Sequence, residues 1–587
     1  MSQNFDHIIE TTFKIRHNEG ESKVVPLKDA ISQNIKPGMQ LYLSIQSNAF
    51  IRQIIKQFVG TSPQFTVIMN AAGGYTPSLV HYGLIKKLIT SSCAFYYPTP
   101  APVPIVQKAY AEKKLDIENW SSLVISQRLM AAAQGVSFMP TRSVMGSDMA
   151  KENKDSFVVM DDPFGSGQKM GLVKALAPDV ALLHGCVADP YGNVILSAPY
   201  IDGIWAAAAS KNGAMVTVEQ LVSTDFIREH PSLVQIPAYL VKSVSVVPLG
   251  AHPMWLHYEG LPGFEGYAGD YQFLDAYRQA CATAESLEKW NKEWMLEVDT
   301  PDDYLRKLGP SKVALLKGSA SRDAWKYELQ PFVDGISTSE ECTPVETMIV
   351  ATARKMKELI LKHGCRLVLY GIGDAALAAW LAYYQLQNQG YSLDLMEGFG
   401  IMGCAPRPAA PFFGHVSNVR TAKYLTDVNI SYSVLVGGAQ NKCLATIGAA
   451  QIDKHGNINA SKVGPMYLVG PGGGADSVNA RELMAVTRQS ARRFLDKVSY
   501  VTAPGDNLNT LVSDMGIFEK LGGKELILTG YIPNKKLSGL EEHIRNIKQN
   551  CGWDLKVAQE VKALPPATLD ELLILRLLDP QGFFIKG

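Results

Sequence analysis

Neither sign of charge is in excess in this 587-residue chain: Lys plus Arg number 56, Asp plus Glu number 56, and the net charge is zero. Nucleic-acid binding and attachment to anionic membranes draw on a basic surplus, so the charge balance argues against both as partners. Long apolar runs are scarce too. The longest candidate, Leu367 to Leu386, is interrupted by Gly371, Gly373 and Asp374 and divides into strand, glycine turn and helix rather than a span. Cysteine is sparse and scattered: eight residues, at 93, 186, 281, 342, 365, 404, 443 and 551, with no Cys-x-x-Cys pair. The segment Met1 to Arg16 is polar and of mixed charge, unlike a secretory signal. Reduced thiols in a cytoplasmic protein are expected. There is no Gly-x-Ser-x-Gly elbow and no phosphate-binding Walker loop. His252 and His257 stand close together, but Pro253 breaks the helix that would present both, and no acid lies at metal-ligand spacing. No metal is expected.

What is present is apolar residue (47%), with 19% charged, enough for a compact soluble enzyme of two to four domains. One phrase occurs twice. Asp189-Pro190-Tyr191-Gly192-Asn193-Val194 returns as Asp453-Lys454-His455-Gly456-Asn457-Ile458, each after an apolar run. Asp and Gly-Asn form turns, so each copy predicts strand, tight turn, strand. A single copy would be an ordinary turn. Two copies roughly 260 residues apart exceed any solenoid period and predict two duplicated halves.

Apolar segments at Gln40 to Ile45, Phe65 to Met69, Val180 to Leu183 and Met215 to Val218 read as strands with helical stretches between them. That alternation predicts an α/β fold with mostly parallel sheets. The pattern weakens from Asp299 to Lys317, and 326–344 reads as an irregular linker. Residues 1–20 read as a loose arm. The second half opens with a helix from Val345 to His363. Its strands are expected at Arg366 to Tyr370, Ser392 to Met396, Tyr432 to Val436, Leu444 to Ala450, Val498 to Thr502 and Glu525 to Leu528, with a last helix at Thr568 to Leu578.

Three segments carry possible chemistry. Leu367 to Tyr370 runs into Gly371-Ile372-Gly373-Asp374-Ala375-Ala376, a strand, glycine turn and helix that can present N–H groups to an anion. Followed by Asp394 or Glu397 at the end of the next strand, it fits a dinucleotide site. It fits another phosphate or acyl ligand equally well, or a turn needing glycine only for packing. Leu393 to Pro406 delivers Glu397 at a strand tip before a glycine-rich loop, where it could be base, ligand, nucleophile or a solvated loop acid. Gly470-Pro471-Gly472-Gly473-Gly474-Ala475-Asp476 can form an oxyanion or phosphate cradle, or a flexible loop. Arg488 to Phe494 is a basic cluster better suited to a solvated helix face than to phosphate.

Together these segments resemble family I coenzyme A-transferases, of the glutaconate CoA-transferase type, with the two homologous subunits of that type fused in one chain. Gly73 to Ser78, Arg128 to Ala133, Phe138 to Asp148, Pro178 to His184 and Val247 to Pro253 resemble the first of those subunits. Gly448 to Asp453, Arg492 to Phe494, Val501 to Gly505 and Leu578 to Pro580 resemble the second. The resemblance implies two tandem homologous open α/β domains related by a pseudo-twofold axis. After an arm at 1–20, residues 21–325 form the domain like the first subunit, 326–344 a linker, and 345–587 the domain like the second.

It also implies acyl-CoA and a carboxylic acid acceptor as substrates, a homo-oligomer, and no cofactor beyond coenzyme A itself. In this reading Glu397 is the nucleophile that passes through a glutamyl-CoA thioester. Gly371, Gly373, Gly448 and Ala449 supply oxyanion donors, and Gly472, Gly473 and Gly474 approach the CoA. Thr76, Ser78 and Arg142 line the acyl side, Arg142 either pairing with a substrate carboxylate or holding a structural ion pair. This sequence carries one residue more than the family between the glutamate and the following glycine, so that Gly398 takes the glutamate's place in an ungapped match. Ser44-Ile45-Gln46-Ser47-Asn48 replaces a glycine-rich turn. A hydrolase or ring-cleaving lyase on the same scaffold is the alternative, and a nicotinamide oxidoreductase a more distant one.

Overall fold

The structure, a computed structural model, describes residues 2–15, 20–257 and 260–586. Two large sheets dominate it. The first is eight-stranded: seven strands follow the path Val241–Val246, Ala214–Leu221, Val180–Ala188, Gln40–Leu43, Phe65–Ala72, Ile85–Cys93, Asp116–Asn119 with all neighbours parallel, and Val194–Leu196 pairs antiparallel with Val180–Ala188 off that path. Every residue of Val180–Ala188 and Phe65–Ala72 is buried, as expected of central strands covered on both faces. The second sheet has ten strands. Its parallel centre is Asp394–Glu397, Leu367–Tyr370, Cys443–Gly448, Glu482–Val486 and Leu508–Val512, with antiparallel strands added on both sides.

The repeated phrase forms the same object twice. In the first copy the Asp189 carboxylate accepts the N–H groups of Tyr191, Gly192 and Asn193 at 2.9–3.1 Å, and Asn193 Nδ2 donates to it at 2.8 Å. In the second, Asp453 accepts from the N–H groups of His455 and Asn457 at 3.0 and 3.1 Å and from Asn457 Nδ2 at 3.0 Å. Gly192 and Gly456 both have positive φ, +99° and +80°, which only glycine adopts without strain. Each turn follows the equivalent central strand, Val180–Ala188 or Cys443–Gly448.

Leu367 to Leu386 divides as expected. The Leu367–Tyr370 strand ends at a glycine turn, and the helix Asp374–Asn388 begins there, with Gly373 at φ +73° before it. That helix packs with Pro344–His363 into an apolar layer built around Trp380. The latter helix is fixed at its start by a reciprocal Thr343–Glu346 capping box and at its end by left-handed Gly364.

Several expectations are corrected. Ile430–Val436 is a π-helix rather than a strand. Its apolar, partly β-branched run satisfies strand propensity, but its place between the sheet and the first half decides its shape. Asp299 to Lys317 is helical, as Pro301–Leu308 and Pro310–Ser319, the prolines standing at helix starts where a missing N–H costs nothing. The expected linker begins with the helix Ala324–Leu329 and a 3₁₀ turn Gln330–Gly335. Within the arm, Ser2–Thr12 is helical. Val498 to Thr502 forms no strand, and Arg488 to Arg493 lies in loop and turn, not on a helix. All eight cysteines are free thiols, and among the described residues no helix is long and apolar enough to cross a membrane.

Candidate active site

Both halves contribute to one cavity of about 460 Å³. From the first come Ile45, Met69, Gly73, Gly74 and Tyr271. From the second come Tyr370, Gly371, Gly398, the Gly448–Ala450 turn and the Gly470–Gly474 loop. The glycine-rich loop is pinned rather than flexible. The N–H of Gly472 donates to Ser91 of the first half at 2.9 Å, and its carbonyl accepts from Ser122 at 3.0 Å. Asp476, at the loop's end, accepts from the N–H of Leu123 at 3.0 Å and from the Ser143 hydroxyl. Burial raises the Asp476 carboxyl to about 6, against those donors. The loop therefore stitches the halves together along the cavity wall.

Glu397 ends the Asp394–Glu397 strand and is fully buried. Its Oε1 accepts from the Tyr370 hydroxyl at 2.8 Å and from Asn418 Nδ2 at 2.7 Å; its Oε2 accepts from the N–H of Gly414 at 2.7 Å. Burial pushes its pKa up to about 7, and the three donors limit the rise. One side chain separates this carboxylate from the cavity, because Tyr370 both lines the cavity and donates to it. The extra residue of the sequence is absorbed in a hairpin turn, Glu397 pairing with Ile401 across it. The wall position falls to Gly398, and Tyr432 closes on it. A Cβ at either Gly398 or Gly473 would run into the Tyr432 hydroxyl. That hydroxyl comes from the π-helix and, among the described residues, has no hydrogen-bond partner.

The other expected site residues separate into two groups. Gly448, Ala449, Gly472, Gly473 and Gly474 line the cavity, as does Gly371. Gly371 is corrected as an oxyanion donor: its N–H is already donated to the Thr446 carbonyl at 2.8 Å in the sheet. The N–H groups of Gly472 and Gly474 are likewise engaged, with Ser91 and Pro471 at 2.9 Å. Gly373 is not on the cavity wall and packs against Phe584.

Thr76 and Ser78 are corrected as lining residues. Both are fully buried, Thr76 against the Met69 sulfur at 3.5 Å and Ser78 between Tyr277 at 2.8 Å and Asn291 at 2.6 Å. Arg142 is exposed and donates to the Gly437 carbonyl, so it ties the halves together away from the cavity instead of meeting a substrate carboxylate. His252 is buried with Tyr304 at 2.8 Å and Asp270 at 3.4 Å, and Asp394 pairs with Lys423 at 2.7 Å.

Sequence reasoning missed Tyr370, Asn418, Gly414, Tyr432 and the aromatic walls. The only local signal was Pro411-Phe412-Phe413-Gly414-His415, an aromatic pair beside a glycine. Gly414 has φ +72° and sits against the Trp255 ring, which explains the glycine.

The family model of coenzyme A transferases matches residues 24–246. One glutaconate CoA-transferase subunit of Acidaminococcus fermentans is 30% identical over 319 residues, 50% of this chain and 95% of that protein. One 3-oxoadipate CoA-transferase subunit of Pseudomonas knackmussii is 27% identical over 264 residues, 41% of this chain and 95% of that protein. The apoenzyme structure of an acyl-CoA transferase (YdiF) of Escherichia coli O157:H7 shares the fold over 94% of this chain and 97% of its own, at TM-score 0.64 and 15% identity. With sequence likeness to nearly the whole of a transferase polypeptide, and one fold running through both halves, this protein is an enzyme of the coenzyme A transferase family.

Proposed function

We propose that this enzyme moves CoA from an acyl-CoA to a carboxylic acid through a glutamyl-CoA thioester on Glu397. The observation that carries the reading is a buried carboxylate at a strand tip, held beside a cavity walled by both halves. In the scheme, a Glu397 oxygen attacks the thioester carbonyl and CoA thiolate leaves, giving an acyl-glutamyl anhydride. The thiolate then attacks the glutamyl carbonyl and the acyl carboxylate departs. The acceptor acid reverses both steps and regenerates Glu397. To reach the thioester, the side chain turns from Asn418 and Gly414 toward the cavity. Gly448, Ala449 and the Gly473 N–H remain as oxyanion donors in this scheme, and coenzyme A enters along the Gly472–Gly474 loop. Residues 21–325 and 345–587 act as the two catalytic domains. No cofactor beyond coenzyme A is required, and the setting is a cytoplasmic homo-oligomer.

One observation favours a second reading. Gly398, not Glu397, faces the cavity, and a carboxyl titrating near 7 is matched to proton transfer at neutral pH. Glu397 would then act as acid or base in hydrolysis or carbon–carbon cleavage of a CoA thioester. Incubation with acyl-CoA, borohydride trapping and peptide mass spectrometry separates the two. Transfer predicts a CoA-sized adduct on the Glu397 peptide before borohydride, its loss as free CoA with reduction of Glu397 to the alcohol after borohydride, and consumption that depends on an acceptor acid. Consumption with no acceptor dependence and no adduct overturns transfer in favour of hydrolysis.

A further inference from the structure

The walls of the cavity are more specific than its position. Eleven of its lining side chains are aromatic, contributed by both halves. They include Tyr97, Trp255 and Tyr271 from the first and Phe399, Phe412 and Phe413 from the second. Several pack edge to face: Tyr97 on Phe412 with centroids 4.8 Å apart, and Phe399 on Phe413 at 5.2 Å. Such contacts hold the rings in place as a preformed apolar box. At about 460 Å³ the space is in the range of sites for drug-sized molecules, and the acyl group shares it with the end of the CoA arm entering along Gly472–Gly474.

Equally informative is what the wall lacks. Among the described residues lining it there is no Lys, Arg, His, Asp or Glu. Cations near by are engaged behind it. Arg278 donates to the Tyr97 carbonyl at 3.1 Å, and Arg52 donates to the His252 carbonyl at 3.0 Å and lies over the Tyr304 ring. A second carboxylate on the acyl group would lose its water here and find no counter-charge, which is strongly unfavourable. The polar groups offered are few. Ser92 already bonds Tyr96 at 2.6 Å, and among the described residues the hydroxyls of Tyr97, Tyr271 and Tyr432 have no hydrogen-bond partner, that of Tyr432 standing between Gly398 and Gly473. These hydroxyls can serve neutral oxygens but carry no charge to pair with a carboxylate.

We infer that the acyl group handled here is bulky, apolar and ring-bearing, aromatic or alicyclic, and has no second carboxylate. The inference rests on the reading of this cavity as the acyl-CoA site. Its test is equilibrium binding, which is independent of turnover. Non-reacting CoA ketone thioethers with phenyl, cyclohexyl, propyl or carboxypropyl side chains are titrated calorimetrically into the full-length protein. The phenyl and cyclohexyl compounds should bind about tenfold more tightly than propyl from the added apolar burial, and about a hundredfold more tightly than carboxypropyl from the unpaired charge. Carboxypropyl binding as well as or better than the ring compounds overturns the acyl class and leaves CoA transfer intact. A ring preference without acceptor-dependent turnover upholds the acyl class and overturns transfer. No binding by any compound overturns the assignment of the cavity.

Discussion

The two halves carry out the same plan with different residues at the cavity. Their register can be matched through the central strands. Tyr42 pairs with Ala181 and Leu369 with Ala445, and each alanine stands eight residues before its turn aspartate. Ile68 pairs with Tyr42, and Met396 with Leu369. Met69 is therefore the counterpart of Glu397, Asn70 of Gly398, and Ser44-Ile45-Gln46 of Gly371-Ile372-Gly373. In the first half Ile45 and Met69 form apolar cavity wall, and Asn70 is structural. Asn70 is buried and bonds Asp202 at 3.0 Å and the Ser122 carbonyl at 3.1 Å; Asp202 in turn accepts from Tyr42 at 2.5 Å. The second half instead places a carboxylate, a bare glycine and a glycine turn there. After Glu397 the chain also reverses into an antiparallel hairpin, whereas Phe65–Ala72 leads through a helix to a parallel strand. The two copies share the scaffold, and the proposed mechanism draws its reacting carboxylate from the second alone.

The largest expected effect tests that asymmetry. Glu397→Ala should lower kcat about 10³-fold or more, as loss of a nucleophile or proton-transfer group does. Met69→Leu, at the matching position, should change kcat by less than about fivefold, since the swap conserves volume. Equal losses in steady-state assays would mean that the halves share the chemistry.

The turns should behave alike instead. Asp189→Ala and Asp453→Ala each leave partly buried N–H donors unpaired and should each cost about 1–2 kcal/mol. Thermal or urea unfolding reads this directly, and a large loss in only one copy would break the structural equivalence. Gly398→Ala should cost about 1–3 kcal/mol from overpacking against Tyr432, and a second change, Tyr432→Leu, should recover most of it. If the double variant stays as unstable as the single one, the Tyr432 contact is not the reason for glycine.

The halves differ in pH dependence as well. Glu397 has a folded pKa of about 7, above the ordinary carboxyl value of 4.5. A raised folded pKa means that the native state holds the proton longer, so its contribution is fully present below pH 4.5 and is lost as pH rises through about 7. Asp202 and Asp476, both raised to about 6, add slopes of the same sign. Glu397→Gln should flatten, but not abolish, the decline in melting temperature between pH 4.5 and 7. An unchanged slope would mean that Glu397 is ionised across that range.

The sequence by itself determined the parts whose causes are local. Asp-x-x-Gly-Asn makes the same turn twice because the aspartate caps its own N–H groups and glycine accepts a positive φ. Thr343–Glu346 starts a helix for reasons contained in four residues, and Gly371-Ile372-Gly373 joins strand to helix. Glu397 was visible as a carboxylate at a strand tip. Tertiary structure alone decided where these parts point. Thr76 and Ser78 sit beside Gly73 and Gly74 in the chain, yet their hydroxyls turn into the core while the glycines face the cavity. Tyr432 to Val436 reads as a strand, but packing between the halves winds Ile430–Val436 into a π-helix and brings Tyr432 against Gly398 and Gly473. The aromatic walls come from segments hundreds of residues apart; burial raises Glu397, and the donors that limit the rise, Tyr370 on one segment and Gly414 and Asn418 on another, meet it only in the folded chain. Desolvation and hydrogen bonding depend on what surrounds an atom in space, and no local stretch of sequence carries that information.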